Sequence, residues 1–236
     1  YPIILSDCGV IPTPILFHRT MKQDYDAGIM ITASHNPAHD NGIKVFAKKI
    51  GKIGKNEESL ILHHFNHNSN LPFYHQLGQE ELLLDTLSWY TDLLTHQFKK
   101  DFLRNIRIAV DCANGAYSTI APHVLAHFGA SVQIIHGKPD GFNINKECGS
   151  LHPESLQATV CKQNAHIGFA FDGDGDRLTV VSKDGIVKDG DDIVAVLSRH
   201  PRYRSATEYV GTVMSNEGLA HHFREQGRTF LRTPVG

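Results

Sequence analysis

The sequence predicts an α/β fold in which βαβ units form mixed sheets between helices. The first observation is that short apolar runs alternate with helix-like segments between residues 106 and 171. The second is that the apolar runs at 29–31 and 166–171 end abruptly in small and polar residues, as buried strands do where the backbone turns. Strands that alternate with helices in this way build parallel or mixed sheets.

The elements follow from these patterns in chain order. Apolar runs predict the end of a strand at residues 1–5 and further strands at 29–31, 43–46, 106–111, 131–135, 166–171, 178–181 and 229–231. Helix-like segments occur at 79–98, 117–128 and 154–163, and Pro153 precedes the last of these at a position where a first helical turn accepts proline. Charged or polar stretches at 99–104 and 201–207 predict domain boundaries, which divide the chain into 1–100, 101–205 and 206–236.

The most informative motif is Thr-Ala-Ser-His-Asn-Pro, at residues 32–37. Pro37 stops a helix or a central strand from starting there, and the Asn41-Gly42 turn precedes the next strand. The pattern places the Ser34 hydroxyl, the His35 imidazole and the Lys44 amine on one compact loop. Serines before such turns are often capping residues, so this segment alone leaves a structural role open.

A second motif is the alternation of aspartate and glycine at 172–176, where Asp172, Asp174 and Asp176 stand between two predicted strands. Glycines let the backbone curl so that three carboxylates meet, and Mg²⁺ prefers such oxygen ligands. A calcium-binding EF-hand does not fit, because Arg177 stands where its loop needs glycine and Lys183 where it needs glutamate. A plain acidic turn between strands remains the alternative.

The composition argues against several classes of protein. Of the 236 residues, 41% are hydrophobic and 20% are charged, which is typical of a folded globular chain. The net charge of -2 provides no basic footprint for nucleic acid, and no apolar stretch is long enough for a membrane span. The four cysteines are scattered without a paired motif, which favours reduced thiols in an intracellular protein. The histidines at 63, 64 and 67 predict a solvated helix end in preference to a zinc site.

Taken together, the serine and aspartate motifs resemble the hallmark sequences of the α-D-phosphohexomutases. Three further segments are similar to the members that act on glucosamine phosphates, namely 110–116, 140–154 and 210–216. The most discriminating part is the run from Asn143 to Ser150, within the second segment. Leu151, where a small polar residue is expected, departs from this pattern. Members that act on mannose or glucose phosphates remain the alternative within the family.

The resemblance implies a mechanism and a set of residues. Ser34 would carry a phosphoryl group to and from a sugar phosphate, with Lys44 as general acid/base whose pKa a nearby cation lowers. Mg²⁺ would be held by the aspartates and a phosphate oxygen on Ser34, Arg177 would steady a phosphate or bridge to the serine loop, and His35 would position the loop or a phosphate.

The resemblance also implies an architecture of four domains around a cleft. The chain would then contain the end of domain I with the serine loop, domain II with the aspartate loop and the start of domain III, in a cytoplasmic enzyme of unstated oligomeric state. Two readings from other classes stay open: a non-catalytic remnant that binds metal, and a phosphatase that passes phosphate from Ser34 to water.

Overall fold

The structure is a computed structural model that describes residues 3–67 and 78–235. Its helices are α1 Thr13–Lys22, α2 Lys55–His67, α3 Thr86–Thr95, α4 Tyr117–His127, α5 Glu154–Lys162, α6 Gly190–Leu197 and α7 Glu217–Glu225, with a 3₁₀ turn at Gly149–Leu151. Its strands are β1 Ile4–Asp7, β2 Ala27–Ile31, β3 Ile43–Ala47, β4 Gly51–Lys52, β5 Gln79–Leu82, β6 Arg107–Asp111, β7 Ser131–Ile135, β8 Ile167–Phe171, β9 Leu178–Ser182, β10 Val187–Lys188, β11 Glu208–Thr212 and β12 Thr229–Thr233.

The central sheet confirms the predicted α/β fold and its mixed topology. Its strand order is β10-β9-β8-β6-β7, with β6 parallel to both β7 and β8 and with β8, β9 and β10 antiparallel. On one face, Leu156 and Val160 of α5 are fully buried against Ala109 and Ala170. On the other face, Val110 packs with residues that include Ala121 of α4. Burial of these apolar side chains on both faces stabilises the sheet between its helices.

The N-terminal part contains the second sheet that matters for the site. Strands β2, β3 and β4 pair antiparallel, so that the chain leaves β2 at Ile31 and returns at Ile43. Helix α1 packs against β2, and Phe17 of α1 contacts Phe46 of β3 edge to face. The remaining pairs are parallel and two-stranded, β1 with β5 and β11 with β12.

One predicted helix is partly wrong. The helix-like segment 79–98 divides into strand β5 and helix α3. The first residues extend because they pair with β1, and the pairing continues where the Leu83 N–H donates to the Asp7 carbonyl at 2.7 Å. A partner strand distant in sequence thus overrides the local helical preference of Gln79–Leu82, as is common for short segments.

The N-terminal part and the central sheet are in direct contact. Ile11 and Ile15 form a buried cluster with Ile120 of α4, and Tyr117 of the same helix packs against this cluster. At the start of α1, the Thr13 N–H donates to the Asp174 carbonyl at 2.8 Å. These contacts bring the β2–β3 loop to the end of β8. Within residues 3–67 and 78–235, no helix has both the length and the apolar character to cross a membrane.

Candidate active site

The serine loop connects β2 to β3 and is closed by its own hydrogen bonds. The Thr32 N–H donates to the Gly42 carbonyl at 2.9 Å, and the Ser34 N–H donates to Thr32 Oγ1 at 2.9 Å. Ser34 has a φ of 55°, a left-handed conformation that non-glycine residues seldom adopt. Such conformations persist where the surroundings enforce them, often at functional sites.

The aspartate loop connects β8 to β9, also as predicted. Asp172 and Asp174 are buried, with 1% and 3% of their surfaces exposed, whereas Asp176 is exposed. One carboxylate oxygen from each of the three lies within 4.8 Å of the others. The Gly175 N–H closes the turn by donating to the Asp172 carbonyl at 3.0 Å.

The fold brings the two loops together. The Ser34 hydroxyl donates to Asp172 Oδ2 at 2.8 Å and lies 3.5 Å from Asp176 Oδ1. Lys44, on β3, places its ammonium nitrogen 2.5 Å from Asp174 Oδ2 and 2.7 Å from Asp176 Oδ2. A nucleophile-capable hydroxyl, an amine and three carboxylates therefore share one site, although more than a hundred residues separate Ser34 from Asp172.

The electrostatics of the site differ from group to group. Burial raises the pKa of Asp172 above its ordinary value, and the neighbouring carboxylates add to the rise, despite the opposing hydrogen bonds from Ser34 and Arg177. Burial also acts to raise the pKa of Asp174. The hydrogen bonds from Lys44 and Thr13, together with the charge of Lys44, outweigh burial and lower the pKa of Asp174 below its ordinary value.

The pKa of Lys44 moves in the direction opposite to the one expected from sequence. Burial disfavours the ammonium, but the hydrogen bonds and charges of Asp174 and Asp176 outweigh burial and raise the pKa above its usual value. Lys44 is therefore a protonated partner of the aspartates in this arrangement. The prediction of a lowered pKa took only a nearby cation into account and not these two carboxylates.

The aspartate cluster suits a divalent cation. Asp174 Oδ1 is buried and has no hydrogen-bond partner among the described residues. A buried carboxylate oxygen without a partner is costly, and a hard cation that takes oxygen ligands would satisfy it. The convergence of three carboxylates points the same way, because the single charge of Lys44 neutralises only part of their mutual repulsion and a bound cation would neutralise the rest.

His35 follows Ser34 and lines a small cavity of about 30 Å³ together with Asn145, Cys148, Ser150, Leu151, His152 and Asp172. His35 Nδ1 is buried without a hydrogen-bond partner in the described part of the chain, and so is Ser150 Oγ. The imidazole of His35 is therefore not tied by Nδ1 to the described part of the protein.

Arg177 contributes to the site through its backbone N–H group. Its N–H donates to Asp172 Oδ1 at 3.1 Å, which orients that carboxylate. Its side chain is exposed, and across residues 3–67 and 78–235 the guanidinium forms no hydrogen bond. The predicted bridge from Arg177 to the serine loop is therefore not formed in this structure, and the guanidinium remains available to a phosphate.

Two residues at the site escaped the sequence analysis. The Thr13 hydroxyl donates to Asp174 Oδ2 from the first turn of α1, and the only local signal was a Thr-Pro pair at a helix start. Asn145 Nδ2 donates to the Ser34 carbonyl at 2.9 Å, although Asn145 had served only to support the family resemblance. Both contacts connect segments distant in sequence, so no local pattern indicates them.

Other candidate clusters have simpler explanations. Asp111, His136 and Cys148 also converge, but the Asp111 carboxylate already accepts from the Ala113 and Gly149 N–H groups and pairs with His136 Nδ1 at 3.0 Å. This network accounts for the cluster as a structural one. On α2, His63 and His67 stack at 4.2 Å on an exposed helix end, and no third ligand joins them among the described residues.

Comparisons with known proteins place the chain among related domains. Three descriptions of the phosphoglucomutase/phosphomannomutase family match it: alpha/beta/alpha domain I over residues 3–72, domain II over 88–185 and domain III over 189–236. The chain is 40% identical over 236 residues to a phosphoglucosamine mutase of Sulfurovum sp. strain NBC37-1, which covers 97% of the chain and 53% of that relative. It is also 40% identical to a phosphoglucosamine mutase of Acinetobacter baylyi, over 97% of the chain and 52% of the relative.

Solved structures of similar proteins have the same fold as this chain. A phosphoglucomutase/phosphomannomutase family protein from Burkholderia thailandensis superposes with a TM-score of 0.82 at 27% identity, covering 99% of this chain and 52% of that one. A putative phosphomannomutase from Thermus thermophilus shares the fold, with a TM-score of 0.79 at 22% identity over 100% of this chain and 54% of that one. The chain spans about half the length of the curated relatives it matches.

Proposed function

Since the chain belongs to the α-D-phosphohexomutase family, we propose that its protein is a phosphoglucosamine mutase, which interconverts glucosamine 6-phosphate and glucosamine 1-phosphate. The observation that carries the proposal is the hydrogen bond between the Ser34 hydroxyl and Asp172, at the centre of a three-carboxylate cluster. The identity of about 40% to phosphoglucosamine mutases supports this choice of sugar. We assign residues 1–100 to domain I, 101–205 to domain II and 206–236 to domain III.

The reaction begins with a phosphoryl group on Ser34. A hydroxyl of the sugar monophosphate attacks this phosphorus, the bond from phosphorus to Ser34 Oγ breaks, and a sugar bisphosphate forms. After the bisphosphate turns around, Ser34 Oγ attacks the other phosphate, and the sugar leaves with the phosphate at its new position. Such transfers depend on positioning and charge neutralisation more than on covalent chemistry by the protein.

Lys44 is the general acid/base of this scheme. The sugar oxygen released when Ser34 takes back a phosphoryl group needs a proton, and the attacking sugar hydroxyl must lose one. In the first transfer Lys44 would accept the proton of the attacking sugar hydroxyl, which requires its neutral form, and in the second transfer it would donate that proton to the released sugar oxygen. Its contact with Asp174 and Asp176 favours the protonated form that the second transfer needs.

Mg²⁺ is the cation that we assign to Asp172, Asp174 and Asp176 together with a phosphate oxygen on Ser34. It would neutralise charge on the transferring phosphoryl group. Asp172 orients the Ser34 hydroxyl, and Thr13 orients Asp174. His35 Nδ1 and the Arg177 guanidinium, which have no partner among the described residues, are assigned to phosphate oxygens.

The partner of this site is a small sugar phosphate, with no nucleic acid or membrane partner, and we place the enzyme in the cytoplasm. The net charge of -2 supports the absence of a nucleic-acid partner, since it provides no basic footprint.

The test is the intact mass of the full-length protein after incubation with Mg²⁺ and a hexose 1,6-bisphosphate. We expect one added phosphoryl group in the wild type and in Ser131→Ala, an exposed serine that serves as matched control, and none in Ser34→Ala. A wild type that is folded, initially unphosphorylated and still unmodified after incubation would refute the phosphoserine mechanism and leave only a cation-binding protein.

Substrate profiling then decides between the related activities. We expect the 6-phosphate of glucosamine to be isomerised with a higher kcat/KM than the 6-phosphates of glucose and mannose. A preference for mannose or glucose phosphate would assign the protein to the other members of the family. Release of inorganic phosphate without isomerisation would identify a phosphatase instead.

A further inference from the structure

We propose that Asn145 is a positioning residue that holds the serine loop in its reactive conformation. Its side-chain Nδ2 donates to the Ser34 carbonyl at 2.9 Å and to the Asn36 carbonyl at 3.0 Å. One amide group thus binds the loop on both sides of His35. These hydrogen bonds are a feature of the structure, and their effect on the reaction rate rests on the proposed function.

The loop needs an external constraint. Ser34 has a φ of 55°, and its hydroxyl meets Asp172 only while the backbone keeps this left-handed turn. Within the described residues, no other donor bonds the carbonyls of Ser34 or Asn36. Removal of the Asn145 amide would leave both carbonyls without a protein donor and free the loop to relax.

Asn145 is itself fixed to the central sheet. Its N–H donates to the Ala113 carbonyl at 3.0 Å, directly after β6, and its φ of 58° is one that asparagine tolerates better than most residues. The Asn145 side chain therefore extends from the domain II framework to the serine loop as a short, rigid connection.

The aspartate loop completes the contact. A Cβ added at Gly173 would lie 2.7 Å from the Ser34 carbonyl oxygen and 2.9 Å from Asn145 Nδ2, so the three segments pack closely at one point. A shift of the serine loop away from Asn145 would thus separate Ser34 from Asp172. This close packing explains why one amide can set the alignment of the nucleophile.

The kinetic test compares Asn145→Ala and Asn145→Asp with the control Asn143→Asp in the full-length protein. A carboxylate cannot donate, so Asn145→Asp keeps the shape but loses both hydrogen bonds. Asn143 stands two residues earlier, and its Nδ2 donates at 3.0 Å to Lys138 within its own segment. Thermal midpoints of all three variants establish that they fold.

The measured quantities are the limiting rate of Ser34 phosphorylation by hexose 1,6-bisphosphate and the concentration that gives half this rate. We expect the limiting rate to fall about 100-fold in both Asn145 variants, the effect of a small misalignment, with the half-saturating concentration almost unchanged. The control should keep the wild-type rate. Equal losses in the Asn143 and Asn145 variants would overturn the positioning role.

Hydrogen exchange provides a second readout that does not require phosphorylation. In Asn145→Ala we expect the Ser34 and Asn36 amides to exchange about tenfold faster, as loss of two hydrogen bonds implies, with the amides of β8 unchanged. Unchanged protection of the serine loop would refute the proposal even in an active enzyme. Faster exchange in a protein that never becomes phosphorylated would refute the proposed function and leave the role of Asn145 standing.

Discussion

Lys44 offsets part of the negative charge of the site. It pairs with two of the three aspartates, and its side chain is only 18% exposed, so water screens these ion pairs less than it would at the surface. Asp174 gains further from Thr13, whereas Asp172 has the Ser34 hydroxyl and the Arg177 N–H as its donors. Three identical residues thus have different environments, which is why the pKa of Asp172 rises and that of Asp174 falls.

Lys44→Arg separates the charge of this residue from its proton transfer. Arginine can keep the ion pairs, but it does not release its proton in proteins. We expect the thermal midpoint to stay near that of the wild type and the rate of sugar phosphate isomerisation to fall about 100-fold or more. Steady-state kinetics and thermal denaturation measure the two effects.

Lys48→Arg is the matched control, because Lys48 pairs with the exposed Asp24 at 2.6 Å outside the site. Its isomerisation rate should match that of the wild type. If Lys44→Arg kept the full rate, Lys44 would act through its charge alone, and the acid/base assignment would be wrong.

At the level of elements, the site is formed where β6 and β8 end. These strands are parallel neighbours, so their carboxyl ends lie side by side at one edge of the sheet. The turn after β6 packs on the aspartate loop, where the Ala116 N–H donates to the Gly173 carbonyl at 2.8 Å. Gly115 allows this approach, since a Cβ there would lie 2.2 Å from the Gly173 oxygen.

Gly115→Ala should therefore damage both stability and the metal site. The added methyl group must push the two turns apart, and overpacking of this kind costs about 1–3 kcal/mol of unfolding free energy. Urea denaturation measures the loss, and titration with Mg²⁺ measures the weakened cation affinity. Gly190→Ala is the control, because no atom lies within 4 Å of a Cβ added there, and an equal loss in both variants would contradict the explanation.

At the level of the whole molecule, the site lies between two sheets, and loops from both sheets contribute residues to it. The serine loop comes from β2 and β3, the aspartate loop from β8 and β9, and Thr13 from the start of α1. A cation held by the aspartates and by Ser34 would bind the folded arrangement and not the separated parts. Binding should then stabilise the packing of the N-terminal part on the central sheet.

We accordingly expect Mg²⁺ to raise the thermal midpoint of the full-length protein. At about 100 times its dissociation constant, a ligand of the native state adds about 2.7 kcal/mol to the unfolding free energy. Differential scanning fluorimetry with and without Mg²⁺ measures the shift, and a chelator should reverse it.

The double variant Asp172→Asn with Asp174→Asn should lose this Mg²⁺-dependent shift. Asp184→Asn, in the exposed turn after β9, should keep it and serves as the control. A double variant that showed the wild-type shift would place the bound Mg²⁺ at another site.

Local sequence patterns predicted strands and helices well where residues close in sequence determine the conformation. The predicted strands around the serine and aspartate motifs are present, as are the helices on either side of β7, because their apolar periodicity and flanking turns are local signals. Strand β5 was missed, since its extended form depends on pairing with β1, which lies more than seventy residues earlier. Thr13 and Asn145 were missed as site residues for the same reason.

The sequence by itself determined the α/β class, the two motifs and the family resemblance, because each rests on residue types at fixed short spacings. Only the tertiary structure decided that the Ser34 hydroxyl faces Asp172, that Lys44 pairs with Asp174 and Asp176, and that Asn145 binds the serine loop. The physical reason is that contact distances and pKa shifts depend on groups brought together from distant parts of the chain. Their separation along the chain carries no information about their separation in space.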